Sequence, residues 1–240
     1  MTETDSAPAH RERLIVALDV PTTDEARALV TRLGERVSFY KLGLELFMAD
    51  GYFELMDWLK TRGKHIFVDL KFFDVPATVA RAVSQLNGRG IRFATVHGND
   101  GIMRAAAASK KDVQILAVTA LTSLDQGDLN DLGFACDVEQ LVLSRARRAI
   151  ACGCDGVVAS GLEARRLREQ LGDHFIVVTP GIRPVHNDDD QKRVVSAAQA
   201  FANGADFIVV GRPIRDADDP CAAADAVLAE ITGYFAGRDA

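Results

Sequence analysis

The stretch HIFVDLKFFD, residues 65–74, decides how this chain is read. It opens as a short apolar, β-branched run, the pattern of a strand buried on both faces. It then ends in ionisable groups: Asp69, Lys71 and Asp74. Seven other runs of the same kind recur along the chain: LIVAL (14–18), VSFYKL (37–42), IRFATV (91–96), VQILAV (113–118), GVVAS (156–160), FIVVT (175–179) and FIVVG (207–211). The spacers carry helical periodicity. Ala26, Leu29, Val30 and Leu33 form one stripe within 24–34, and Leu141, Ala146 and Ile150 another within 140–150. Val194, Val195, Ala198 and Phe201 do the same within 193–203, and Pro220 opens a last helix running to about residue 235. Eight strands, each followed by a helix, predict an α/β protein of the (β/α)8 TIM-barrel type in a single domain. An open doubly wound sheet is the competing architecture, but no G-x-G-x-x-G follows the first strand. We read residues 1–12 as a flexible N-terminal tail and 13–240 as the barrel catalytic domain.

Composition narrows the function. The 240 residues are 48% apolar and 26% charged, which excludes a disordered chain and leaves ample core. With 28 basic against 34 acidic residues the net charge is −6, a poor balance for nucleic acid or an anionic membrane surface. An anionic ligand therefore needs locally concentrated positive charge. No apolar run is long enough to span a bilayer, and the start, MTETDSAPAHRER, has no apolar segment of the secretory kind. Cys136, Cys152, Cys154 and Cys221 form no C-x-x-C pair and have no histidine at metal-ligand spacing, so they read as reduced cysteines of a cytoplasmic protein.

Several strands end in groups that a buried strand does not otherwise carry. Asp19 ends the first, Lys41 lies near the end of the second, Asp69 and Lys71 end the third and His97 the fourth. All stand at C-terminal ends, the face on which barrel active sites are built. Asp69 and Lys71 are two apart, so a regular strand turns both side chains to one face, shared with Phe67. A lysine flanked by carboxylates holds its proton, because nearby negative charge offsets desolvation, and can act as a general acid. His97 reads as a hydrogen-bonded core histidine supporting its strand end.

A second cluster is late. TPGIRPVHNDDDQKR (179–193) is a long polar loop after strand seven, containing Arg183, and VVGRPIRDADDP (209–220) follows strand eight with Gly211 and Arg212. Long loops on this face often act as lids. The loops after strands seven and eight are the usual phosphate site of a barrel, and arginine is a bidentate phosphate donor. Asp188, Asp189 and Asp190 are adjacent loop carboxylates, which read as solvated surface and not as a cation site.

Taken together and in order, these segments resemble the orotidine 5′-monophosphate decarboxylase family, in its bacterial branch. The match rests on D-x-K-x-x-D at Asp69, Lys71 and Asp74 with VPATV after it, LIVALDV with Asp19, YKLGLELF with Lys41, and AVTALTS with Thr122. TPGIRP with Arg183, DDQKR with Gln191 and VVGRPI with Gly211 and Arg212 complete it, over about residues 13–235. Ala77 stands where many members carry asparagine. The resemblance implies decarboxylation of orotidine 5′-phosphate to uridine 5′-phosphate, the last step of UMP synthesis, without a metal or organic cofactor. It implies a homodimer with shared active sites, in which Asp74 and Thr78 reach into the partner's site. Asp19 and Lys41 are expected on the ribose hydroxyls and Thr122 on the pyrimidine. Gln191, Gly211 and Arg212 are expected on the phosphate, with Arg183 anchoring the lid. Lys71 is expected to protonate C6, with Asp69 repelling the substrate carboxylate. Two alternatives share the barrel. One is a sugar-phosphate decarboxylase of the 3-keto-gulonate 6-phosphate type, which places a carboxylate where Lys41 stands and uses it with the first Asp of the motif, here Asp69, to hold Mg²⁺. The other is a non-catalytic nucleotide-binding barrel, expected to have lost one of these charges.

Overall fold

A computed structural model describes residues 10–183 and 195–237. Eight parallel strands close into a barrel in sequence order: β1 (Leu14–Ala17), β2 (Phe39–Gly43), β3 (His65–Phe72), β4 (Ile91–Val96), β5 (Gln114–Val118), β6 (Gly156–Val158), β7 (Ile176–Thr179) and β8 (Phe207–Val210), with β8 pairing back to β1. In chain order the helices around it are α1 (Thr23–Leu33), α2 (Leu44–Phe47), α3 (Tyr52–Lys60), α4 (Pro76–Ser84), α5 (Asp100–Ser109), α6 (Gln126–Asp131), α7 (Val138–Ala151), α8 (Ala164–Leu171), α9 (Ala197–Ala202), α10 (Arg212–Arg215) and α11 (Pro220–Ala236). The sequence predicts one helix per strand. The structure adds the short α2, α6 and α10 after strands two, five and eight. Of the expected tail, residues 10–12 lie in a turn of 3-10 helix that ends at Arg13, with His10 stacked on Phe235.

Side-chain oxygens start the helices where the sequence supplies them. Thr22, Asn99, Asp137, Ser196 and Asp219 each accept a backbone N–H of the first turn, satisfying donors that a helix otherwise leaves unpaired.

Each strand is apolar on both faces, yet the two faces enter different cores. One residue in two points outward under the helices. The alternate set, including Ile15, Phe39, Phe67, Phe93, Leu116, Val178 and Phe207, fills the barrel. Phe39, Phe93 and Phe207 meet pairwise at centroid distances of 5.3, 5.1 and 6.0 Å, and Phe67 adds an edge contact to Phe93 at 5.8 Å. Burying each ring contributes roughly 1.5–3 kcal/mol. The rings make a rigid floor beneath whatever stands at the C-terminal rim.

The opposite rim is tied by carboxylates at strand starts. Asp155 accepts the Ile115 N–H at 2.7 Å and pairs with Lys110 at 2.6 Å. Asp206 does the same with the Val177 N–H at 2.8 Å and Arg168 at 2.6 Å. Conserving strand registry at this end is a matter of stability, since catalysis in barrels belongs to the other end. Asp155→Ala leaves the Ile115 N–H without its acceptor and the Lys110 ammonium without its counter-charge, with only Gly153 O at 2.9 Å to receive it. It is expected to cost about 2 kcal/mol and lower the thermal midpoint by roughly 4–8 °C in calorimetry. A midpoint within about 1 °C of the parent would show that the staple is idle.

Candidate active site

The strand ends bring four of the expected groups into one row. Lys41 Nζ lies 2.8 Å from Asp19 Oδ1 and 3.6 Å from Asp69 Oδ2, and Lys71 Nζ lies 3.0 Å from Asp69 Oδ1. Lys41 is only 9% exposed and Asp69 is nearly as enclosed. Burial by itself raises the pKa of the Asp69 carboxyl. The charges of Lys41 and Lys71, with hydrogen bonds from Lys71 and Thr95, outweigh it and hold the carboxyl below its ordinary value. A carboxyl so lowered stabilises the fold above its unfolded pKa of about 3.9, and that contribution is lost as pH falls through the folded value.

The expectation that Asp69 and Lys71 meet is met, but not through regular alternation. Val68 pairs with Ala94 and Phe72 with Val96, so β3 carries two more residues than β4 across the same span. Lys71 takes φ +48°, and among the described residues it is the one non-glycine in the left-handed region. The Lys71 N–H leaves the strand ladder and donates to the Thr95 hydroxyl at 2.9 Å.

Two adjoining cavities of about 250 Å³ each open on this row. The first is bordered by Asp69, Lys71 and Thr122 and walled by Phe67, Val118 and Val158. The second is bordered by Asp19, Arg183, Gly211, Arg212 and Arg215. Lys41, Pro180 and Val209 line both, so they form one cleft with an apolar end and a cationic end. Arg183 is buried, with its N–H bonded to Val195 O at 3.1 Å. Asp74 and Thr78 are not brought to this cleft. Asp74 is exposed and accepts its neighbour's N–H at 2.6 Å, while Thr78 accepts from Arg81 at the start of α4. Gln191, His186 and the Asp188–Asp190 run lie outside the described residues.

His97 has the supporting place expected of it. Its ring lies 3.1 Å from Val118 O through Nδ1, and its N–H donates to Phe72 O at 3.1 Å. Burial lowers its pKa, so the neutral ring is favoured. All four cysteines are free, and burial pushes the Cys154 thiol up to about 12.

Three residues of the site escape sequence reasoning. Thr95, fully buried, bonds both Asp69 and Lys71. Arg215 donates to Asp19 O and borders the cationic cavity. Gly43 leaves the space in which the first pair forms: a Cβ there would lie 2.8 Å from Asp19 Oδ1 and 3.0 Å from Lys41 Nζ. The only signal for Gly43 was its place two residues after Lys41.

Barrel and cleft together define a (β/α)8-barrel enzyme with a lysine–carboxylate centre at one end of its site and arginines at the other. The chain belongs to the orotidine 5′-phosphate decarboxylase / HUMPS family, whose family model matches residues 12–227. It is 65% identical over 227 residues to the orotidine 5′-phosphate decarboxylase of Methylococcus capsulatus, covering 94% of each chain. It is 53% identical over 226 residues to that of Xanthomonas campestris pv. campestris, covering 93% of each. The crystal structure of orotidine 5′-phosphate decarboxylase from Lactobacillus acidophilus superposes with a TM-score of 0.80 at 36% identity, covering 92% of this chain and 99% of that one.

Gly43→Ala is expected to displace the Asp19 carboxylate and lengthen its contact with Lys41, because the new Cβ would lie 2.8 Å from Asp19 Oδ1, closer than a Cβ tolerates, and would crowd Lys41 Nζ at 3.0 Å. A partly exposed pair contributes about 1 kcal/mol or less, so the thermal midpoint should fall by no more than about 4 °C. A crystal structure of the variant checks this; a pair retained at its parent length would show slack in the cleft.

Proposed function

We propose that this chain converts orotidine 5′-phosphate to uridine 5′-phosphate and carbon dioxide, the last step of de novo pyrimidine nucleotide synthesis. In this reading it works in the cytoplasm as a homodimer, on a small nucleotide and not on nucleic acid or membrane, with neither metal nor organic cofactor. The observation that carries the reading is the Lys71 ammonium, 3.0 Å from Asp69 at the mouth of an apolar-walled cavity. The comparisons support it through relatives that bear this activity in their names over nearly the whole chain.

The pyrimidine occupies the apolar end, against Thr122, with C6 facing Lys71. The bond from C6 to the carboxylate breaks and its electron pair stays on C6. Carbon dioxide leaves, and an Nζ proton of Lys71 moves to C6. The resulting amine recovers a proton from solvent. A fixed ammonium stabilises the developing carbanion far better in a low-dielectric site than water does. Asp69 stays ionised between two ammonium groups, so a carboxylate placed beside it is repelled and the repulsion ends as carbon dioxide departs. Asp19 and Lys41 hold the ribose hydroxyls. Gly211, Arg212 and Gln191 hold the phosphate, with Arg183 anchoring the loop that follows it. Binding energy at that remote group then serves the transition state.

Lys41 favours this reading over a metal-assisted sugar-phosphate decarboxylase, since it sets an ammonium, 3.6 Å from Asp69, where that reaction needs a second carboxylate beside Asp69. The exposed Asp74 is flanked by Phe73 and Val75, which are 68% and 63% exposed. Such apolar surface beside an acidic group supports a partner subunit seated there, receiving Asp74 and Thr78 into its own site.

The direct assay follows loss of the orotate chromophore from orotidine 5′-phosphate in buffer containing EDTA. The parent should turn over, and Lys71→Ala should lose at least about a thousandfold in kcat/KM while remaining folded. A parent inactive on this substrate, or a variant retaining more than a few per cent, would refute the reading. Sharing of sites is tested by mixing Lys71→Ala with Asp74→Ala subunits. In a mixed dimer one site lacks both groups and the other keeps both. Activity should reappear from two inactive homodimers, and none after proven exchange would refute shared sites.

A further inference from the structure

We propose that Thr95 is a positioning residue for the proton donor, a role that rests on the decarboxylase reading above. Thr95 follows Phe93 on the inward face of β4, one layer above the phenylalanine floor, and is fully buried. It borders neither half of the cleft, so its part is played through other residues.

A buried hydroxyl has to be satisfied, and here both of its functions are assigned. The Lys71 N–H donates to Thr95 Oγ1 at 2.9 Å. That N–H is a donor only, so the hydroxyl's own proton turns to the other neighbour, Asp69 Oδ1, at 2.9 Å. The same oxygen receives Lys71 Nζ at 3.0 Å, while Oδ2 faces Lys41 at 3.6 Å. One side chain therefore fixes the rotation of the carboxylate and the backbone from which the ammonium hangs.

The backbone at Lys71 needs such a restraint. A left-handed conformation is strained for a side-chain-bearing residue, and it persists only where the surroundings over-determine it. Beyond the bulge the chain is recaptured at once, as Phe72 pairs with Val96 and accepts the His97 N–H. Between Val68 and Phe72, the Thr95 hydroxyl supplies the acceptor that the displaced Lys71 N–H uses. Without it that donor has no such partner, Lys71 can relax toward extended geometry, and Nζ leaves its place over Asp69. Substrate contacts stay as they were, so the loss falls on turnover and not on binding.

The test compares Thr95→Val, which keeps shape and removes the hydroxyl, with Thr95→Ser, which keeps the hydroxyl. Kinetics on orotidine 5′-phosphate are run beside the parent, with circular dichroism confirming folded protein. T95V is expected to lower kcat about ten- to a hundredfold, the scale of a hydrogen bond to a charged group, with KM within about threefold. T95S should remain within about threefold of the parent in both. The acid limb of kcat should move to higher pH in T95V, because Asp69 loses a donor to its charged form. Parental kcat in T95V, or an equal fall in T95S, would overturn the proposal. If T95V does not fold, Thr95→Cys, with a weak donor in the same space, takes its place in the comparison with T95S. A parent inactive on this substrate would refute the decarboxylase reading instead.

Discussion

Alternation of charge at one rim of the barrel is the constraint on which the rest depends. Asp19, Lys41, Asp69 and Lys71 form a row in which each cation touches a carboxylate, with closest contacts of 2.8, 3.6 and 3.0 Å. Two ammonium groups brought this close would repel, and so would two carboxylates; interleaved, each offsets the desolvation of its neighbours. Removing any one member leaves an uncompensated charge in a partly dry site. The row stands at the ends of β1, β2 and β3 on packed aromatic rings, while Asp155 and Asp206 tie the opposite rim at the starts of β5 and β7. Stability is thereby concentrated at one rim and reactivity at the other.

Much of this was legible in the sequence, and what was not has physical reasons. Eight apolar runs give the barrel, since strands buried on both faces leave an unmistakable composition. The same property hides which residues fill the interior: Phe39 and Tyr40 are both fully buried, one inside the barrel and one beneath the helices. Ionisable groups at strand ends stand out against that background, so Asp19, Lys41, Asp69 and Lys71 were found. Thr95 was not, because threonine is an ordinary strand residue and its role needs the positions of two neighbours. Nor was the bulge at Lys71, which no glycine announces. Asp69 and Lys71 meet as their spacing suggested, by a route the spacing does not contain.

The cleft itself divides the labour. Its apolar end surrounds the reactive ammonium with Phe67, Val118 and Val158, where a fixed charge acts strongly. Its other end gathers Arg183, Arg212 and Arg215 in a chain of net charge −6. In the proposed reading the phosphate is drawn to the arginine end, and the length between fixes which part of a bound nucleotide meets Lys71. In that reading orientation is set by charge far from the reacting carbon, while chemistry is set by the row of four.

A crystal structure with uridine 5′-phosphate bound tests that division most directly. The account predicts the pyrimidine in the apolar end, C6 about 3–3.5 Å from Lys71 Nζ, and the phosphate against Gly211 and Arg212. A phosphate seated on Lys71, or a base lying outside the apolar end, would contradict it.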